Sequence, residues 1–334
     1  MTLDYDVSRQ IVPRWFPLLF FRAERFVAFI IVALFAIDIM LIGFKNIKID
    51  VMGYCLSIAI GSGLVLLGQI YRVTKRDEKM AAALIAAGLF ILFSICGSVF
   101  NYMFLPVRFP LIDETLMRID DWIGYDWARS VTWVASYPSL GKLLFFVYAT
   151  ALPQLLFIII VLGFTGRIRQ LHQFLVTGVL GALTSITFWV FLPTYSPSSF
   201  QELPAWIPHA MPLALGPEYG RELIRLGTEG VQYLTPRNLE GLIGFPSFHI
   251  FMAAMSVYFV PRYRAFIVVI ATLNLLMVPA ALIQGAHHLS DVFGGLVLFA
   301  IVCPISIRLV NMMTVPTDND SSGLSIIKDG VSVH

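Results

Sequence analysis

Two clusters in this chain have residue types and spacings that can do chemistry. His287 and Asp291 are four apart, so on a helix they share a face. A carboxylate bonded to one imidazole nitrogen fixes the tautomer and makes the other nitrogen a better base or nucleophile. The second cluster, Gly244–Phe245–Pro246–Ser247–Phe248–His249, opens an apolar run. Pro246 and Ser247 suit a helix start. Exposed backbone N–H groups and the helix dipole there favour an anion such as phosphate, with Ser247 beside it. His249 falls in the first turn, where it can protonate a leaving alcohol. The pair suits phosphoryl transfer, with His287 as nucleophile, Asp291 as its orienter and His249 as acid. Taken singly, either histidine is as readily a partly solvated polar group; the two clusters together favour chemistry. His288 is three residues from Asp291 and reads as a neighbour of the nucleophile. A His-x-x-x-Asp pair can also ligate zinc, but no third ligand lies in a short motif, so neither metal nor cofactor is expected. His172 and His209 show no partner pattern.

The elements that position these clusters are membrane helices. The chain has 334 residues, of which 58% are apolar and only 13% charged, and its mean hydropathy is +0.80. A soluble chain is about 25% charged, so a soluble enzyme, a disordered chain and a fibrous repeat are all excluded. The net charge of +2 carries no basic stripe, which argues against a nucleic-acid partner. Cys55, Cys96 and Cys303 lie far apart in apolar runs and read as small buried hydrophobes. Eight runs approach the roughly 20 residues that span a bilayer: 25–44, 51–71, 80–105, 142–163, 171–192, 246–260, 265–284 and 289–308. The sixth is short if it starts at Pro246. The first is read as a retained membrane helix, without the cleavage site of a signal peptide.

With the N-terminus placed in the cytoplasm, the inside segments hold 14 of the 23 Lys and Arg residues. That bias favours both termini inside and both clusters at the outer face. The segment 106–141 has apolar positions at helical spacing and Trp122, Trp127 and Trp133, which predicts an amphipathic helix on the outer surface. The segment 193–245, with Trp206, Tyr219 and Tyr233, predicts a folded cap. The expected fold is an all-α polytopic bundle of about eight transmembrane helices. Residues 1–79 form a cytoplasmic segment and two added helices, 80–311 a six-helix core, and 312–334 a flexible cytoplasmic tail. No internal repeat supports an inverted-repeat transporter. Asp38, a buried acid in the first run, is expected to make a structural hydrogen bond.

These residues resemble the membrane-bound type 2 phosphatidic acid phosphatase superfamily. The family's second motif is Pro-Ser-x-His, matched by Pro246–Ser247–Phe248–His249. Its third ends in His-x-x-x-Asp, matched by His287 to Asp291 and followed by Val292 and Gly294–Gly295. The resemblance implies a metal-independent phosphohistidine mechanism on a lipid phosphate or lipid pyrophosphate. Two elements depart from the pattern. The first motif, Lys-x6-Arg-Pro, is absent, and Ala280–Ala281 stand where the third motif has Ser-Arg. A subgroup including the inositol phosphorylceramide synthases has the form Phe-Pro-Ser-x-His and a Pro-rich stretch after the preceding helix. Phe245 and Leu192–Pro193–Thr194–Tyr195–Ser196–Pro197 are similar to these, which points to bacterial members of that branch. Of the cations that could replace the missing ones, Arg225 is favoured over Arg221 and Arg237, with Gln284 and Tyr195 as neutral donors to phosphate. The rival class is a non-catalytic lipid-binding or lipid-transport protein that keeps the fold.

Overall fold

The computed structural model describes residues 20–237, 239 and 241–314. The expectations for the N-terminal segment, for the tail beyond 314 and for the side on which the termini lie fall outside these residues. Long apolar runs become long helices: α1 (Arg22–Lys45), α2 (Val51–Val73) and α3 (Glu78–Tyr102). Between α1 and α2 lies β1 (Lys48–Ile49). Acidic N-caps start several helices: Asp50 accepts from Gly53 N at 2.9 Å, and Asp77 from Lys79 N at 2.8 Å.

The segment after α3 forms two short helices, α4 (Asp113–Ile123) and α5 (Trp127–Ala135), where one was expected. Gly124, at φ 82°, ends the first, and Asp126 caps the second through Arg129 N at 2.8 Å. Two further helices, α6 (Pro138–Ala149) and α7 (Ala151–Phe164), follow the expected run 142–163 but bend by 47° at Thr150. The chain returns through α8 (Ile168–Phe191).

The segment 193–245 is folded. It carries α9 (Ile207–Ala210), α10 (Tyr219–Glu229) and β2 (Tyr233–Leu234), which pairs in parallel with β1. Tyr195, Tyr219, Leu223, Leu226 and Leu242 pack there with Tyr54, Tyr102 and Leu105 in a small core of their own. The chain ends in α11 (Phe248–Phe259), α12 (Arg264–Gln284) and α13 (Leu289–Thr314). The fold is the expected all-α bundle. Among the described residues six helices are long and apolar enough to cross a membrane, α6 and α7 form a bent pair, and α11 is a short apolar helix.

The main core lies among α3, α7, α8, α11 and α13, around Ile85, Ile158, Leu171, Phe174 and Phe251. Glycines set its closest approaches. A Cβ on Gly181 of α8 would lie 2.1 Å from the Phe251 ring of α11. α2 packs on this core through α3, and α1 packs on α3, α8 and α13. At the end opposite the cap, Arg72 of α2 donates to the buried Glu24 of α1 at 2.6 and 3.0 Å and to Glu78 of α3 at 2.9 Å. His172 of α8 lies 3.3 Å from Glu24, so this histidine does have a partner. Cys96 and Cys303 are buried, but Cys55 is exposed on the outward face of α2. Asp38 is buried, and its Oδ1 lacks the hydrogen bond expected for it.

Candidate active site

The two sequence clusters meet at the capped end of the bundle. The turn after α12 delivers the first. Gly285 and Ala286 separate Gln284 from His287, and Ala286 takes the left-handed conformation at φ 48°, a costly one for a residue with a Cβ. It turns the chain sharply enough to aim His287 across the start of α13. His287 Nδ1 lies 3.0 Å from Asp291 Oδ2, and the same oxygen accepts from His288 N at 2.9 Å. His287 Nε2 points the other way, 3.2 Å from Ser247 Oγ. The imidazole is therefore held at both nitrogens, by the carboxylate one turn along and by the hydroxyl at the start of α11.

Close backbone approach holds the clusters together. Ser247 N donates to Asp291 O at 3.0 Å. A Cβ on Gly295 would lie 2.4 Å from Ser247 O, and one on Gly294 would lie 2.7 Å from the Phe245 ring. The paired glycines thus let α13 lie directly against the segment before α11. His249 stacks on Tyr148 of α6, with ring centroids 4.4 Å apart, and its ring lies 6.1 Å from that of His287. Both histidines line a small pocket walled by Tyr148, Thr194, Ser196, Tyr219, Gly244 and Gly285.

Sequence reasoning missed the second layer. Asp113 and Asp120 of α4 are buried, contrary to the surface helix expected there. Asp120 Oδ2 lies 2.7 Å from His288 Nδ1, and its Oδ1 accepts from Leu289 N at 3.1 Å. Asp113 accepts from Tyr195 N at 3.0 and 3.1 Å and lies 3.7 Å from His288 Nε2. Burial alone would lower the pKa of His288. The nearby Asp113 carboxylate, the hydrogen bond to Asp120 and the charge of Asp291 outweigh burial and hold it up at about 9. His288 is thus a buried cation next to His287. The spacing of 113, 116 and 120 puts both acids on the apolar face of α4 with Leu116; a carboxylate on an apolar stripe is the signal that was available. Tyr125 adds a contact from its hydroxyl to His287 O at 3.4 Å.

The other residues expected at the phosphate lie elsewhere. Arg225 is on α10, 45% exposed at its side chain, and pairs with Glu222 and Glu229; it does not line the pocket. Arg221 likewise pairs with Glu218 on the exposed face. Gln284 is buried, but its carboxamide is committed to Ala214 N at 2.8 Å, Pro212 O at 3.2 Å and Gly141 O at 3.4 Å. Tyr195 sends its hydroxyl into the cap, where a Cβ on Gly227 would meet it at 1.8 Å. Its neighbours Thr194 and Ser196 face the pocket instead. No Lys or Arg lines this pocket among the described residues.

Residues 114–305, from α4 into α13, match the PAP2 superfamily. The chain belongs to this superfamily. The match takes in both histidine clusters and begins after α1 to α3. A phosphatase-type activity on a lipid phosphate follows from that membership in general terms. No curated protein and no solved structure matches the chain.

Proposed function

We propose that this PAP2 protein transfers or hydrolyses the phosphate of a membrane lipid phosphate through a phosphohistidine on His287. The observation that supports this best is the orientation of the His287 ring. Asp291 takes Nδ1, which leaves Nε2 directed at Ser247 and the pocket. In that tautomer the lone pair of Nε2 attacks phosphorus, and the lipid oxygen–phosphorus bond breaks. His249, on the far wall, takes up a proton as the phosphate dianion binds beside it and gives that proton to the departing alkoxide. It then takes a proton from the water or alcohol that attacks the phosphohistidine. Asp291 stabilises the charge that develops on the imidazole.

Backbone donors take the place of a pocket lysine or arginine at the phosphate. The first N–H groups of α11, beside Ser247, have no intrahelical partner and suit an anion. The cationic His288 lies behind the nucleophile. The proposed step uses side chains and backbone N–H groups alone, so activity is expected to survive a chelator.

The charge bias of the loops supports an outer-facing site with cytoplasmic termini. It also suits a bacterial inner-membrane setting. The Pro-rich stretch supports the branch that includes the inositol phosphorylceramide synthases, because Thr194 and Ser196 within it wall the pocket. Phosphate release from a panel of lipid phosphates by the purified protein, beside His287→Ala, tests the reading. Release that vanishes in the variant is expected. Lipid binding or movement indifferent to both histidines would favour the non-catalytic reading.

A further inference from the structure

The capped end holds three histidines, and two of them are anchored by carboxylates. His287 has Asp291, and His288 has Asp120 with Asp113 beyond it. The His249 ring has neither a carboxylate nor a hydrogen-bond partner among the described residues. Ring contacts alone hold it. It stacks on Tyr148, with centroids 4.4 Å apart and planes 24° from parallel, and the His287 ring lies 6.1 Å away at 65°. Tyr148 sits in the last turn of α6, just before the bend at Thr150. Gly285 makes room for it. A Cβ at Gly285 would lie 2.9 Å from Tyr148 Cε2 and 3.0 Å from His287 Cδ2. The phenol ring therefore packs against both the His249 imidazole and the turn that carries His287. Its hydroxyl bonds to no described residue, so the ring face is what Tyr148 offers its neighbour.

Resting on the role of His249 as the acid in the reading above, we infer that Tyr148 is the positioning residue of that acid: its ring face fixes the imidazole plane and stabilises the imidazolium. An aromatic face attracts a cation through its quadrupole, most strongly where water is excluded. A carboxylate would occupy one ring nitrogen and hold the proton tightly. A π-face leaves both nitrogens free, one of them for the leaving oxygen. In the first half-reaction His287 Nε2 bonds to phosphorus, the phosphorus–oxygen bond breaks, and the His249 proton passes to the leaving oxygen. In the second, the attacking water or alcohol returns a proton to His249. Tyr148 gains and loses none. Among the described residues the titratable groups around His249 are Tyr148 of α6, Tyr219 of α10, Tyr102 of α3 and His287 before α13, and no Asp or Glu lines either cavity that His249 borders. Tyr148 is thus the group stacked on the charge that forms there.

The test compares kcat of the full-length protein in nanodiscs on two phosphates of equal chain length. One is the phosphate of a long-chain alcohol. The other is the phosphate of an alkyl-substituted nitrophenol, whose departure needs no acid. Tyr148→Leu is expected to slow the alkyl phosphate roughly ten- to thirtyfold and the nitrophenyl phosphate no more than about twofold. It should also move the alkaline fall of the alkyl rate to lower pH by about one pH unit, because the imidazolium loses its partner. Tyr148→Phe keeps the face and should restore both rate and profile. If Tyr148→Leu fails to fold, progressively fluorinated phenylalanines at position 148 weaken the face at nearly constant shape, and the alkyl rate should fall step by step. Equal loss on both phosphates, an unmoved profile, a Tyr148→Phe as slow as Tyr148→Leu, or a rate indifferent to fluorination would each overturn the inference. His249→Ala is measured beside these. A loss in His249→Ala confined to the alkyl phosphate, with none in Tyr148→Leu, overturns the role of Tyr148 alone. An equal loss in His249→Ala on both phosphates removes the acid itself, and the inference with it.

Discussion

His288 Nδ1 lies 2.7 Å from Asp120 Oδ2, and this contact fastens α4 to the turn that carries His287. The pair makes the stability of the capped end depend on pH. The folded pKa of His288, about 9, is above the ordinary 6.5. Its contribution is therefore complete below pH 6.5 and is lost as pH rises through 9. At about 1.4 kcal/mol per pKa unit the loss is of order 3 kcal/mol. Thermal unfolding in detergent should show the melting temperature falling from about pH 7 to 9.5. His288→Asn should flatten that slope. An unaltered slope in the variant would remove His288 from the account.

The reacting residues should differ in the size of their effects. His287→Ala is expected to lower kcat by about a thousandfold or more, because it removes the proposed nucleophile. Asp291→Asn should cost about 10²–10⁴-fold by releasing the tautomer. His249→Ala should cost about 10²–10⁴-fold, and less with a substrate whose leaving alcohol is acidic. Double variants should fall well short of the product of the singles. An acidic leaving group that rescues His287→Ala better than His249→Ala would reverse the two roles.

Gly295 sets the distance between the clusters. Its replacement by Ala puts a methyl 2.4 Å from Ser247 O, a backbone atom that cannot swing aside. Gly295→Ala should reduce kcat at least tenfold while the protein still inserts and purifies, since the change displaces Ser247 from His287. Activity within twofold of the unaltered protein would show that the spacing is not critical.

Arg225 marks a limit of the sequence reading. Its place in the outer loop suggests a replacement cation, but its guanidinium binds Glu222, with Nε 2.8 Å from Oε2, on the exposed face of α10. Arg225→Ala should leave kcat/KM within about twofold and stability within about 1 kcal/mol. A hundredfold loss would put α10 closer to the substrate than this structure does.

The opposite end of the bundle offers a contrast. Glu24 and Arg72 are both buried, and Arg72 also holds Glu78. Arg72→Ala leaves the Glu24 carboxylate without its main partner, which should cost about 3–5 kcal/mol. A lowered melting temperature with kcat unchanged in the surviving protein is the expected result. A selective loss of kcat would tie this cluster to the site.

What the sequence made legible follows from the range of each signal. The helices were legible because bilayer thickness and backbone hydrogen bonding leave an apolar run few alternatives. His287, Asp291, Ser247 and His249 were legible because their spacings are local, and helix parity brought both pairs to one end. Asp113 and Asp120 were not, because their partner His288 is far along the chain and acidic residues on a short helix ordinarily face water. The break at Thr150 and the commitment of Gln284 to the cap were hidden for the same reason: each is set by contacts between distant segments.

A phosphoryl group carried on His287 is the step on which the proposed activity turns. Its most direct test is rapid quench of the purified protein with a lipid phosphate labelled at phosphorus, followed by peptide mapping in alkali, where phosphohistidine survives. An acid-labile label is expected on the peptide containing His287, absent from His287→Ala and discharged when the reaction is chased. Steady phosphate release with no label on that peptide, or a label that persists in His287→Ala, would contradict it.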